Sequence, residues 1–312
     1  MSCRTLASLL VAIASLVAPA PARAQVAGPG GAAGAGAITV SAAVSLKEAL
    51  TDAAAAYERQ TGRRVKLNFG ATGHLLAQIR DGAPVDGFVS AAESHMRQAN
   101  RLKVVEASEP VTFARNALVL IVPADAKAPA DGFRSLADGG VRRLAIGQPK
   151  TVPAGEYATQ VLDRLGLSDR LRERLVFGSS VRQVLDYVQR GEVDAGIVYA
   201  TDAQHAGDRV KRVATAEASW HDPILYSIAP VTRSARRAEV RQFGDYLTGD
   251  GGRAILARHG FEVPATPAST FRPASPASPT SPPSPPAATA PGAMPPAMIA
   301  PAATAPAPAG AP

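Results

Sequence analysis

Four short segments read as a turn feeding the first turn of a helix: Ala42-Ala43-Val44-Ser45-Leu46, Gly70-Ala71-Thr72-Gly73, Val152-Pro153-Ala154-Gly155 and Ser179-Ser180-Val181-Arg182. The opening residues of a helix carry backbone N–H groups without an intrahelical acceptor, together with about half a positive elementary charge. Several such starts converging on one cleft would hold an anion by dipoles, and none of the four places a Lys or Arg at its tip. That is the chemistry of binding rather than turnover, which would need a positioned base, nucleophile or metal set. The five histidines, His74, His95, His205, His221 and His259, are scattered without metal-ligand spacing. Of these His74 alone lies beside one of the four segments, and it is expected on a helix surface. Asp86, Asp194 and Asp202 lie near strand ends, where they are expected to cap helices or brace a hinge. Gly70, Gly73 and Gly82 form no nucleotide fingerprint, and the chain has no Walker pattern.

The elements that must position these segments alternate between strand and helix patterns, the signature of an α/β protein. Strands are expected at 38–41, 65–69 and 87–90, and helices at 46–60, 73–80 and 93–100, the first with Leu46, Ala49, Leu50, Ala53 and Tyr57 on one face. The nearly unbroken apolar run 113–123 suits one buried strand that carries the chain into a second lobe. There the alternation resumes over 143–147, 156–165, 181–190 and 195–199. A strand at 224–232 and helices at 234–247 and 252–259 close the pattern. Two lobes connected twice leave a cleft between them, a common place for a ligand.

Both ends differ from this core. Residues 1–24 read as a secretory signal, with Arg4, an apolar stretch over 6–18 and Ala22-Arg23-Ala24 as the cleavage site. The stretch is too short to span a membrane, and the single cysteine, Cys3, precedes it, so a soluble, exported chain without disulfides is expected. Residues 25–37 read as a Gly/Ala-rich leader, and 265–312 as a disordered Pro/Ala-rich tail. The expected lobes are 38–114 and 115–228, with 229–264 returning to the first. The formal net charge is +7, but Arg4, Arg23 and Arg272 lie outside the core, which carries only about +4, too mild and dispersed for nucleic acid.

The run Ser41-Ala42-Ala43-Val44-Ser45-Leu46, then Gly70-Ala71-Thr72-Gly73-His74-Leu75, Gln78-Ile79 and Gly82-Ala83-Pro84-Val85-Asp86, resembles the N-terminal half of periplasmic molybdate-binding proteins, the ModA family. Pro153-Ala154-Gly155-Glu156-Tyr157-Ala158, Ser180-Val181-Arg182, Gly191-Glu192-Val193-Asp194-Ala195-Gly196-Ile197-Val198-Tyr199 and Thr201-Asp202-Ala203 resemble its second half. The resemblance spans 38–263 and implies a two-lobed type II periplasmic binding fold that serves the permease and ATPase of an ABC importer. It further implies a monomer in the periplasm, no cofactor and no enzymatic activity. Carried over by position, the oxyanion-binding residues are Ser45, Thr72, Ala154, Val181 and Tyr199, with molybdenum entering as molybdate, or tungsten as tungstate, through the same residues. The family usually has Ser where this chain has Thr72, which keeps the hydroxyl and adds a methyl group.

A tetrahedral dianion presents only acceptors, so every partner must donate. Ser45 and Thr72 offer hydroxyl and backbone donors, Ala154 and Val181 backbone N–H groups, and Tyr199 a phenol. Hydrogen phosphate would set its own O–H against a donor; sulfate would not, and must be rejected by size. Without the resemblance, Ser45 and Thr72 read as ordinary helix caps, Val181 as core and Tyr199 as packing. Remaining alternatives are another tetrahedral oxyanion such as sulfate, an exported anion-sensing domain, or an exported hydrolase or transferase on the same fold.

Overall fold

The computed structural model describes residues 36–106, 110–127 and 130–264. The expected signal and tail, and the leader up to residue 35, lie outside the described residues. The chain runs β1 (Ile38–Ala43), a 3-10 turn (Val44–Leu46), α1 (Lys47–Thr61), β2 (Val65–Gly70), α2 (Thr72–Arg80), β3 (Gly87–Ser90), α3 (Glu93–Arg101), β4 (Val111–Arg115) and β5 (Leu118–Pro123). It continues through β6 (Leu144–Gly147), α4 (Pro153–Arg164), α5 (Ser168–Leu171), β7 (Leu175–Gly178), α6 (Val181–Gln189), β8 (Ala195–Tyr199), α7 (Ala200–Ala206) and β9 (Val210–Thr215). It closes with β10 (Leu225–Pro230), α8 (Arg237–Thr248) and α9 (Asp250–Arg258).

Two mixed sheets result, ordered β2-β1-β3-β10-β4 and β7-β6-β8-β5-β9. In each, three parallel strands are followed by one antiparallel strand that has just crossed from the other lobe: β10 beside β3, and β5 beside β8. This is the two-lobed α/β architecture expected of a type II binding fold. The central strands β3, β6 and β8 are wholly buried, as their apolar runs require between two helical layers. α1 buries Ala49, Leu50, Ala53, Ala54 and Tyr57 at helical spacing and ends at Gly62, whose φ of 71° is the left-handed conformation that glycine adopts freely. α4 begins with Pro153, whose missing N–H costs nothing in a first turn.

Several expectations on the elements need correction. The run 113–123 is two strands in different sheets, β4 and β5, parted at Asn116-Ala117. Asn116 makes the break: its Oδ1 accepts the Ala117 N–H at 2.9 Å, and its Nδ2 donates to Thr201 Oγ1 at 2.9 Å and to the Tyr226 hydroxyl at 3.2 Å. The lobe boundary placed after 228 falls inside β10, whose pairing with β3 and β4 puts the whole strand in the first sheet. α2 and α4 start one and three residues earlier than expected, at Thr72 and Pro153. β7 and β9, together with α5 and α7, were not foreseen. β9 carries Lys211 and Arg212 exposed on a sheet edge, where alternating hydrophobicity is weak and charge guards against edge pairing.

Candidate functional site

All five carried-over residues follow the carboxyl ends of parallel strands. Ser45 lies in the turn after β1, Thr72 opens α2 after β2, Ala154 is in the first turn of α4 after β6, Val181 opens α6 after β7, and Tyr199 ends β8. Ligands of open α/β sheets sit at such strand ends, beside the point where strand order reverses. Both sheets reverse there, between β1 and β3 and between β6 and β8. The five residues line one small cavity, whose wall also includes Ala43, Gly70, Ala71, Ala91 and Val152. Every one of them is buried.

No Lys or Arg lies on the cavity wall. The helix starts at Ala71 and Val152, and the turn after Ala43, have no side-chain cap, although the first-turn amides of Gly73 and Gly155 already donate to the Thr151 and Val152 carbonyls. Ser180 is different: its hydroxyl caps α6 by accepting the Gln183 N–H at 3.2 Å. Ser45 and Thr72 do not act as caps. The Ser45 hydroxyl lies 3.1 Å from the Tyr226 hydroxyl, and Thr72 Oγ1 accepts the Ala91 N–H at 3.5 Å. Tyr199 is 1 % exposed, and its hydroxyl has no hydrogen-bond partner among the described residues. A buried phenol without a partner forgoes about 1–3 kcal/mol. Burial raises its pKa well above the usual value, which keeps it a donor. Tyr226 supports it edge-on at 5.9 Å and packs in turn on Phe261 at 5.3 Å.

The lobes meet around the cavity. Gly73 N–H in the first lobe donates to the Thr151 carbonyl of the second at 2.9 Å. A side chain at Gly73 would bring its Cβ to 2.7 Å from Thr151 Cα and 2.9 Å from its oxygen. Beside this contact Ser94 Oγ donates to Glu156 Oε2 at 2.8 Å, and His95 Nδ1 stands 3.6 Å from the same carboxylate. His95, not His74, is therefore the histidine at the cleft: it is buried and its pKa is lowered by desolvation against the pull of Glu156, while His74 is exposed on α2.

The three aspartates act as braces rather than helix caps. Asp86 accepts from Thr39 N–H at 2.8 Å and Ser234 Oγ at 2.6 Å, and Asp194 accepts from the amides of Arg142 and Arg143 at 2.8 and 2.9 Å. Asp202 is fully buried 2.8 Å from Arg182 Nε, and burial pushes its pKa up to about 7 despite that cation. Among the described residues no cluster of three or more His, Cys, Asp or Glu is placed to hold a metal ion. Sequence reasoning missed Asn116, Tyr226 and the Gly73–Thr151 contact. Asn116 alone had a local signal, as the one polar residue inside 116–123.

The profile of a family described as bacterial extracellular solute-binding proteins matches residues 38–262. The chain is 36 % identical over 225 residues to a putative ABC transporter substrate-binding lipoprotein, YvgL, of Bacillus subtilis, covering 72 % of this chain and 85 % of the relative. It is 37 % identical over 235 residues to the molybdate-binding protein ModA of Escherichia coli, covering 72 % and 89 %. The solved periplasmic molybdate-binding protein of Azotobacter vinelandii superposes with a TM-score of 0.65 at 28 % identity, over 73 % of this chain and 99 % of that one.

Proposed function

Since the chain belongs to the bacterial extracellular solute-binding proteins, as a ModA-like periplasmic binding protein of an ABC importer, we propose that its cargo is molybdate, with tungstate accepted alongside it. The observation that carries this reading is the buried, unpartnered hydroxyl of Tyr199, a residue that shares one cavity wall with Ser45, Thr72, Ala154 and Val181. In this reading donors from both lobes turn to one small cavity whose wall has no carboxylate to take a ligand proton. A fully ionised tetrahedral oxyanion fits that donor set, and hydrogen phosphate does not. In this reading Ser45 and Thr72 hold the anion from the first lobe, and Ala154, Val181 and Tyr199 from the second. Closure then presents a two-lobed surface to the permease. The exported monomer needs no cofactor and carries out no reaction.

Thr72 is fully buried on the cavity wall, and in this reading its added methyl group tightens the fit. A thermal-shift series with molybdate, tungstate, sulfate, phosphate and chromate tests the cargo. Molybdate and tungstate at a hundredfold over their dissociation constants should each add about 2.7 kcal/mol of stability. A shift with sulfate and none with molybdate overturns the assignment.

Tyr199→Phe tests the site itself. The ligand-free protein should melt no lower than wild type, because the deleted hydroxyl has no partner to lose. Molybdate affinity should fall by roughly 10- to 150-fold, the worth of one hydrogen bond to a charged group. Calorimetric titration reads the affinity, and unchanged binding removes Tyr199 from the site.

A further inference from the structure

Arg182 immediately follows Val181 in the chain, yet it does not face the cavity that Val181 lines. Its side chain lines a neighbouring cleft, which meets that cavity at Ser45 and is also lined by Glu48, Thr201, Gln204 and His205. There the guanidinium joins two carboxylates: its Nη2 lies 2.5 Å from Glu48 Oε2, and its Nε 2.8 Å from Asp202 Oδ1. These three residues sit on three elements that also carry the anion donors. Glu48 is three residues after Ser45, Arg182 is one after Val181, and Asp202 is three after Tyr199. We infer that Arg182 is a positioning residue that ties the lobes together behind the cavity through Glu48, raising affinity for an anion it never touches.

The partition of the cluster between lobes gives the tie its direction. Arg182 and Asp202 both belong to the second lobe, on α6 and α7, and Asp202 is fully buried, so opening the cleft cannot part them without stranding a buried carboxylate. Glu48 stands on α1 of the first lobe, so its bond to Arg182 exists only while the lobes are closed. The side chains of Arg182 and Glu48 are 18 % and 29 % exposed, shielded enough for the pair to count for more than an open surface bridge. Burial works against ionisation of Glu48, but Arg182 and the residue's own backbone N–H, with a smaller pull from His205, outweigh it and hold the carboxyl below its usual range. His205 Nε2 in the second lobe lies 3.5 Å from the other Glu48 oxygen and reinforces the same contact when protonated. Charge thus draws the lobes together while the anion meets only neutral donors, so closure is strengthened without making the cavity attractive to any anion at all.

The inference rests on the oxyanion reading, and its test separates the two. Sodium molybdate is titrated calorimetrically into wild type, Glu48→Gln and Glu48→Lys, and small-angle X-ray scattering follows compaction on adding molybdate. Glu48→Gln should melt like wild type without ligand, since Arg182 keeps Asp202, yet bind about 5- to 100-fold more weakly, the span of an ordinary coupling between sites. Its affinity should also depend less on salt than that of wild type. Glu48→Lys, which sets two cations against each other across the cleft, should bind more weakly still and compact less at equal molybdate. Wild-type affinity in both variants overturns the tie and leaves the oxyanion reading standing. A loss of ligand-free stability as large as the loss of binding makes Glu48 merely structural and overturns it too. No binding of molybdate by wild type overturns the oxyanion reading, and the tie with it.

Discussion

Gly73→Ala is expected to give a folded protein that no longer closes on its anion, with molybdate affinity lower by about a hundredfold or more. The position is helical, so alanine is favoured over glycine by local propensity, and the open form should be slightly stabilised. Only the closed form suffers. There the added Cβ would stand 2.7 Å from Thr151 Cα and 2.9 Å from the carbonyl that accepts the Gly73 N–H, both backbone atoms that cannot swing aside, with His95 Nε2 at 3.1 Å on another side. Relief requires the lobes to part, which removes donors of one lobe from reach of the anion. A penalty of about 2.7 kcal/mol on closure is a factor of about a hundred in affinity. Calorimetric titration reads the loss, and a melting curve of the ligand-free variant shows that the fold survives. An affinity within a factor of two of wild type would mean that capture does not depend on this approach.

That glycine shows where sequence reasoning stops. Its motif, Gly70-Ala71-Thr72-Gly73, is readable as a helix start because a turn and its first residues are decided locally. The same is true of Val152-Pro153-Ala154-Gly155 and Ser180-Val181, and the structure brings these segments, with Ser45 and Tyr199, to one cavity. What glycine is needed for at position 73 is a contact with Thr151 in the other lobe, and no local pattern encodes it. Long-range pairing is hidden for the same reason. The apolar run 113–123 looks like one strand because each half is buried, but burial does not say in which sheet; the break is made by Asn116 with Thr201 and Tyr226, far along the chain. His74 is exposed on its helix as expected, whereas His95, which carries no signal beside the four segments, comes to the cleft from the next helix. Asp202 reads in the sequence as a helix cap or a hinge brace, and its complete burial beside Arg182 within the second lobe is not legible there.

Arg182→Met is expected to show a stability loss that depends strongly on pH. Asp202 is fully buried and titrates at about 7 in the folded chain, against an ordinary value of 3.8. Its folded form holds a proton that the unfolded chain releases, so its contribution to stability is fully present below about pH 4 and is lost as pH rises to about 7, remaining level above that. Removing Arg182 takes away the charge that makes the ionised carboxylate tolerable and drives Asp202 further toward the neutral form. At pH 8 the variant should lose about 3–5 kcal/mol, the usual cost of stranding one member of a buried pair. At pH 5 the carboxyl is protonated in both proteins, and most of the deficit should vanish. Urea midpoints at the two pH values decide the matter. Equal deficits would show that the guanidinium contributes packing rather than charge, and Arg182→Met,Asp202→Asn should then be no better than the single variant at pH 8.

The exchange of strands between the lobes also dictates the order in which the molecule can be completed. β10 sits in the middle of the first sheet, hydrogen-bonded to β3 on one side and β4 on the other, but it is made only after all five strands of the second sheet. Until it arrives, β3 has an open flank and β4 has no neighbour, so a chain emerging from its amino end cannot finish the lobe it started first. The second sheet, by contrast, is built from one uninterrupted stretch, β5 to β9, and can form ahead of it. The earliest residues of the core therefore wait for some of the last, an arrangement that lengthens the average loop to be closed and favours slow folding. Such a chain stays unfinished for as long as its carboxyl end is withheld.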